Sequence, residues 1–201
     1  GDGQQSVFLR EAEFANQLLS QRFAARGQIS LINHRDHLQD RPLATRENLS
    51  RAVQTLAQRS GPEDLIFIYL TSHGSSRHEL ALVQPRLELN DLPASALAEV
   101  LKPLQQRHKV VVISACYAGG FIPLLKDAKT LVISAARADR VSFGCAEDAD
   151  FTYFGRALLR DALNQTDDLQ QAFVLAKQQI AAREQAEDFE LLARKDEEAG
   201  E

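Results

Sequence analysis

Two uninterrupted apolar runs, Leu65-Ile66-Phe67-Ile68-Tyr69-Leu70 and Val110-Val111-Val112-Ile113, constrain the fold of this chain more than any other feature. Neither run alternates with polar residues, and both are rich in β-branched or aromatic side chains, which is how strands read when both faces of a sheet are covered. Leu131-Val132-Ile133 is a third, shorter run, and Ile29-Ser30-Leu31-Ile32 reads as a further short strand.

Helical periodicity separates the runs. Phe8 to Arg26 carries apolar residues at Phe8, Leu9, Ala12, Ala15, Leu18, Leu19 and Phe23, with Gly27 where a helix should stop. A second helix opens with Thr45 as N-cap and sets Leu49, Val53 and Leu56 on one face. Further helices are predicted from about Pro93 to Gln106, from about Phe151 to Leu163 and from Asp167 through Ile180. Leu80 to Leu89 alternates around Gln84-Pro85-Arg86 and predicts a small hairpin before the third helix. The sum is an α/β fold: an open, mostly parallel sheet with helices on both faces and a hairpin insertion. From Ala182 the chain turns acidic and loses its period, so residues 186–201 are predicted to be a solvated tail on a domain over residues 1–185. The chain opens with Gly-Asp-Gly directly before a helix and contains no methionine, so a first strand is expected upstream of residue 1.

Composition narrows the function classes. Apolar residues make up 44% and charged residues 25%, which excludes a wholly disordered chain. A net charge of −5 without any basic run gives no surface for tracking phosphates, so nucleic acid is not expected as a partner. No apolar run approaches the ~20 residues that cross a bilayer, so membrane contact is expected only through a segment outside these residues. Nothing in the residues assigns a compartment. Cys116 and Cys145 are too few for a disulfide framework, and two free thiols are expected.

In open α/β sheets the functional crevice lies at the carboxyl ends of the strands. The strand Leu65 to Leu70 empties into Thr71-Ser72-His73-Gly74-Ser75, and Val110 to Ile113 empties into Ser114-Ala115-Cys116-Tyr117-Ala118-Gly119-Gly120. A histidine and a cysteine thus reach the same rim, where an imidazole can make a thiol nucleophilic. Taken singly, each has a plainer reading, a small buried hydrophobe and a turn residue. His34, His37, His78 and His108 are weaker candidates: the first two lie in a polar loop, His78 precedes the hairpin and His108 starts a strand at the opposite rim. No zinc spacing and no phosphate-binding glycine pattern is present, so neither a metal nor a cofactor is expected.

Leu65 to Ser75 with His73-Gly74, then Ser114-Ala115-Cys116-Tyr117-Ala118-Gly119, then Ser134-Ala135-Ala136 followed by Ser142-Phe143-Gly144-Cys145, resembles the legumain family of cysteine peptidases, peptidase family C13, in its short bacterial form. The resemblance covers roughly residues 1–180. His73 and Cys116 stand 43 positions apart, close to the spacing of about 50 in caspases, which belong to the same clan. It implies a caspase-like three-layer sandwich, His73 as general base or acid, Cys116 as nucleophile, and an oxyanion hole from the backbone N–H groups of Gly74 and Cys116. The implied activity is endopeptidase cleavage of a peptide or protein substrate through a thioester, without cofactor. A transamidase of the same family and a peptide-binding pseudoenzyme are the alternatives.

The resemblance also marks departures. Where legumains carry a carboxylate two residues before the nucleophile, this chain has Ser114. Where they carry Arg-His on the first helix, it has Arg10-Glu11. A pocket aspartate of the family falls at Arg156. Carried over residue by residue, Arg10, Glu11, Ser114, Ser142 and Arg156 are expected to line the substrate pocket, with Glu11 pairing with one guanidinium. A guanidinium pairs naturally with a carboxylate, so Asp, Glu or Asn is expected at P1, the residue before the cut, ahead of Lys or Arg. Cys145 is expected to be a structural thiol.

Overall fold

The structure, a computed structural model of the 201-residue chain, describes the backbone of residues 1–144 and 148–198, with side chains as far as residue 186. Two compact units divide the chain, Gly1–Thr152 and Tyr153–Glu201. In chain order the first contains α1 (Ser6–Gln21), α2 (Arg46–Arg59), β1 (Leu65–Thr71), β2 (Glu79–Leu80), β3 (Leu92–Pro93), α3 (Ala94–Leu101), β4 (His108–Ser114), α4 (Ile122–Leu125) and β5 (Thr130–Ser134). The second contains α5 (Tyr153–Gly155) and α6 (Leu169–Glu198).

The three apolar runs form one parallel sheet in the order β1-β4-β5. β4 is central and buried from Lys109 to Ser114, which is why its sequence tolerates no alternation. Ile66, Ile68 and Leu70 of β1, Val111 and Ile113 of β4 and Val132 of β5 share one face with Val53 of α2, Leu97 and Leu101 of α3, and Phe121 and Leu125 in and before α4. On the other face the Tyr69 hydroxyl donates to Glu11 of α1. Helices thus cover both faces. Thr45 caps α2 as expected, its hydroxyl accepting the Asn48 N–H at 3.1 Å, an interaction worth about 1 kcal/mol.

Several expectations need correction. Ile29 to Ile32 is not a strand: it finds no ladder partner, and the Ile32 N–H donates to the Pro42 carbonyl instead. α1 starts at Ser6 and ends at Gln21, short of Arg26. The turn at Gln84 exists, with the Leu87 N–H on the Gln84 carbonyl, but the paired strands are Glu79–Leu80 and Leu92–Pro93 rather than the residues flanking it. Val83, expected in the hairpin, instead bridges Asp2 in parallel. α3 tightens after Leu101 into a 3₁₀ turn, Lys102–Leu104, because Pro103 has no N–H for an α-helical bond. In the second unit the helix beginning at Tyr153 widens to a π-helix over Arg156–Asp161 and tightens to 3₁₀ over Ala162–Asn164. α6 is capped by Asp168, whose carboxylate accepts from the Gln170 and Gln171 N–H groups. It continues to Glu198, through the acidic segment where the sequence loses its period: the Ala, Glu, Gln, Lys, Leu and Arg residues there are strong helix formers even without an apolar stripe.

Candidate active site

β1 and β4 are hydrogen-bonded neighbours in parallel register, ending with Thr71 opposite Ser114. His73 and Cys116 each lie two residues beyond that last pair, so equal steps along adjacent strands bring both to one rim. The Ser72 N–H donates to the Ser114 carbonyl and carries the contact one residue further. Gly74 then meets Cys116 itself: a Cβ on Gly74 would stand 2.0 Å from the Cys116 carbonyl oxygen and 3.2 Å from its nitrogen. Only glycine allows the two loops to approach so closely.

The His73 loop is rigidly tied. The Ser72 hydroxyl donates to the Ala81 carbonyl at 2.6 Å, and the Ala81 N–H donates to the His73 carbonyl at 3.0 Å. Gly74 faces Leu80 in an antiparallel bridge whose bonds run from Ala81 to His73 and from Ser75 to Glu79. In such a pair the middle residues do not bond each other, so the Gly74 N–H points away from Leu80. The His73 ring sits edge-on to Phe8, centroids 4.9 Å apart, and its Nε2 lies 3.7 Å from Asp2 Oδ2, an electrostatic rather than a hydrogen-bonded distance. Partial burial pushes the His73 pKa below its ordinary value, and the Asp2 carboxylate opposes the shift. The downward shift favours the ring form that can accept a proton.

Cys116 is partly buried and is a free thiol. Its Sγ accepts the Ser142 N–H at 3.2 Å and lies 3.5 Å from the Ser142 carbonyl. Ser142 thus reaches the sulfur through its backbone. Tyr117, next in the chain, adopts a left-handed φ of 55° before the 3₁₀ turn Ala118–Phe121.

Ser114 and Glu11 belong to one buried polar network. Glu11 is fully buried, with Oε1 accepting the Tyr69 hydroxyl at 2.7 Å and Oε2 accepting the Thr152 N–H at 3.0 Å and the Thr152 hydroxyl at 2.8 Å. Ser114 Oγ is 3.2 Å from Thr152 Oγ1. Burial, followed by the Glu11 charge and hydrogen bond, raises the Tyr69 pKa well above its usual range, which keeps that hydroxyl a donor. Both Glu11 oxygens are engaged by tyrosine and threonine in this network, not by the guanidinium expected from sequence. Arg10 donates to the Ala149 carbonyl and lies 4.0 Å from Asp150, beside a cleft lined by Glu13, Phe14, Gln17 and Phe151. Arg156 opens the π-helical turn of the second unit. Cys145 lies outside the described residues.

Sequence reasoning missed Asp2, Tyr69 and Thr152, whose roles arise only through contacts across distant parts of the chain. His34 is buried and bonded to Ser6 and to the Asp36 N–H, His37 pairs with Asp40, and His108 is at the opposite rim. Among the described residues no three His, Cys, Asp or Glu side chains are grouped to hold a metal ion, and no helix is long and apolar enough to cross a membrane.

Comparison with known proteins gives a family and a fold. The sequence model of the Peptidase C13 family matches residues 46–198. A comparison with curated proteins finds no match. Among solved structures, caspase-1 from Spodoptera frugiperda superposes with a TM-score of 0.58 over 85% of this chain and 67% of that one, at 14% identity. The α/β architecture is therefore caspase-like, as the sequence resemblance implies.

Proposed function

The chain belongs to the peptidase C13 family, and on that premise we propose that it is a cysteine endopeptidase with His73 and Cys116 as its catalytic pair. The observation that carries the reading is the register: Thr71 opposite Ser114, with the histidine and the cysteine each two residues further on.

In the proposed reaction His73 takes the thiol proton and the sulfur attacks a peptide carbonyl, forming a C–S bond while the carbonyl electron pair moves to oxygen. The N–H groups of Gly74 and Cys116 receive that oxyanion; the outward-pointing Gly74 N–H and the close Gly74–Cys116 packing support this role. The protonated His73 then gives its proton to the departing amine, leaving a thioester. Water, deprotonated by His73, attacks the thioester and releases the acid and the thiol. The lowered His73 pKa suits the first step, since it favours the ring form that can accept a proton.

The substrate is a peptide or protein, and the proposal extends to P1 selectivity. Arg10, on α1 beside the Ala149 carbonyl and Asp150, is the guanidinium proposed to attract a substrate carboxylate, since its planar fork matches a carboxylate's two oxygens. Asp, Glu or Asn at P1 is expected to be cleaved ahead of Lys or Arg. The test is turnover of a P1 peptide library by the wild type, Cys116→Ala, His73→Ala and Arg10→Ala. Loss of all turnover in the first two variants, and a weakened acidic preference in the third, supports the reading. Turnover by Cys116→Ala contradicts it.

A further inference from the structure

We propose that His78 is a positioning residue for this reaction, its ring holding the turn that follows Cys116 through the Tyr117 carbonyl. The inference rests on the peptidase reading above for its consequence, but its geometry stands apart from it. His78 Nδ1 lies 3.2 Å from the Tyr117 carbonyl oxygen. A carbonyl only accepts, so Nδ1 carries the hydrogen. The same oxygen accepts the Gly120 N–H at 3.1 Å, which closes the turn over residues 117–120.

The ring packs directly on that turn. It lies on the Cα of Gly120, where a Cβ would stand 2.1 Å from Nδ1 and 2.2 Å from Cγ. Both partners are held in an uncommon backbone conformation, His78 at φ 61° and Tyr117 at φ 55°. Non-glycine residues adopt that region only when their surroundings impose it, and here each has backbone anchors. The His78 N–H donates to the Ser75 carbonyl, its carbonyl accepts the Ala94 N–H, and the Tyr117 N–H donates to the Arg140 carbonyl. The loop carrying His73 therefore grips the loop carrying Cys116 at two places, Gly74 on the Cys116 carbonyl and His78 on the next one. Both grips fall on the two peptides that directly follow the Cys116 N–H, so that N–H keeps one direction as the oxyanion forms. Losing the second grip leaves the thiol in place and frees the turn behind it.

The test uses the full chain as wild type, His78→Phe, His78→Asn, Gly120→Ala and His78→Phe with Gly120→Ala. Three readouts are compared: hydrolysis of a fluorogenic peptide amide with Asn or Asp at P1, alkylation of Cys116 by iodoacetamide, and hydrogen exchange over residues 115–121. Alkylation forms no oxyanion and so separates thiol reactivity from the geometry of the turn. His78→Phe is expected to lower kcat about 10- to 100-fold with KM within about threefold, to leave alkylation within about threefold, and to speed exchange over 115–121. His78→Asn is expected to restore kcat to within about threefold, because its amide can donate to the same carbonyl and asparagine tolerates positive φ. Gly120→Ala, which displaces the ring from the other side, should reproduce the Phe variant, and the double variant should be no worse than either. Unchanged exchange in His78→Phe and Gly120→Ala, equal loss of hydrolysis and alkylation, or failure of Asn to rescue overturns the proposal. Should Cys116→Ala retain turnover, the peptidase reading falls, while the exchange measurement still decides whether His78 holds the turn.

Discussion

The Cα of Gly74 faces the carbonyl oxygen of Cys116 so closely that only a hydrogen fits between them; a Cβ would stand 2.0 Å away. This contact joins the histidine loop to the cysteine loop at the residue that would do the chemistry. It also explains why glycine follows His73, a position otherwise open to any turn residue.

Gly74→Ala is therefore expected to push the Cys116 peptide out of place. The obstacle is backbone, which cannot swing aside as a side chain would. Overpacking of this kind costs about 1–3 kcal/mol of stability, and misplacing an oxyanion donor costs about 10²- to 10³-fold in kcat. Thermal unfolding and peptide hydrolysis measured on the same variant give both numbers. A Gly74→Ala enzyme with wild-type kcat would show that the Cys116 peptide takes no part in the reaction.

The acid limb of the pH profile follows from His73. Burial lowers its pKa below the ordinary 6.5, and Asp2 partly reverses that. A base must be unprotonated, so kcat/KM is expected to hold to a lower pH than an ordinary histidine allows. Asp2→Asn removes the opposing charge, lowers the pKa further and moves the acid limb to still lower pH. The same shift leaves the unfolded chain binding more protons than the folded one in the window just below neutrality, so this group's contribution to stability declines as the solution is acidified. A limb that moves upward in Asp2→Asn would contradict the assignment.

Much of this arrangement is readable from local sequence, and the remainder is not for physical reasons. The three apolar runs specify the sheet because burial on both faces leaves no place for polar residues, and His73 and Cys116 follow from where those runs end. Thr45 is legible as a cap because its partner Asn48 is three residues away. Glu11 is expected from sequence to pair with a pocket guanidinium, yet its partners are Tyr69, 58 positions on, and Thr152, 141 positions on. Asp2 reaches His73 only because Val83 pins the start of the chain. Ile29 to Ile32 has the residues of a strand but no neighbour to pair with, since a ladder needs two partners and a sequence run describes one. His78 reads as a plain loop residue because nothing local signals its left-handed backbone.

The Glu11 network supplies a stability test. Glu11→Ala removes the acceptor shared by the Tyr69 hydroxyl and the Thr152 N–H and hydroxyl in a buried site, at about 1–3 kcal/mol for each group that finds no replacement acceptor. Glu11→Gln keeps one acceptor oxygen and is expected to lose less. Chemical denaturation of the two variants should therefore rank wild type, Gln, Ala in falling stability. An alanine variant as stable as the wild type would show that the network contributes nothing to the fold.

The central claim is that Cys116 carries the acyl group, and the most direct measurement is the intact mass of the enzyme quenched in acid during turnover of an activated peptide ester. The account predicts a mass increase equal to the acyl portion, mapped by digestion to the peptide containing Cys116, released by hydroxylamine, and absent from Cys116→Ala, which also has no turnover. An acyl group mapped to any other residue, or turnover that persists in Cys116→Ala, would contradict it.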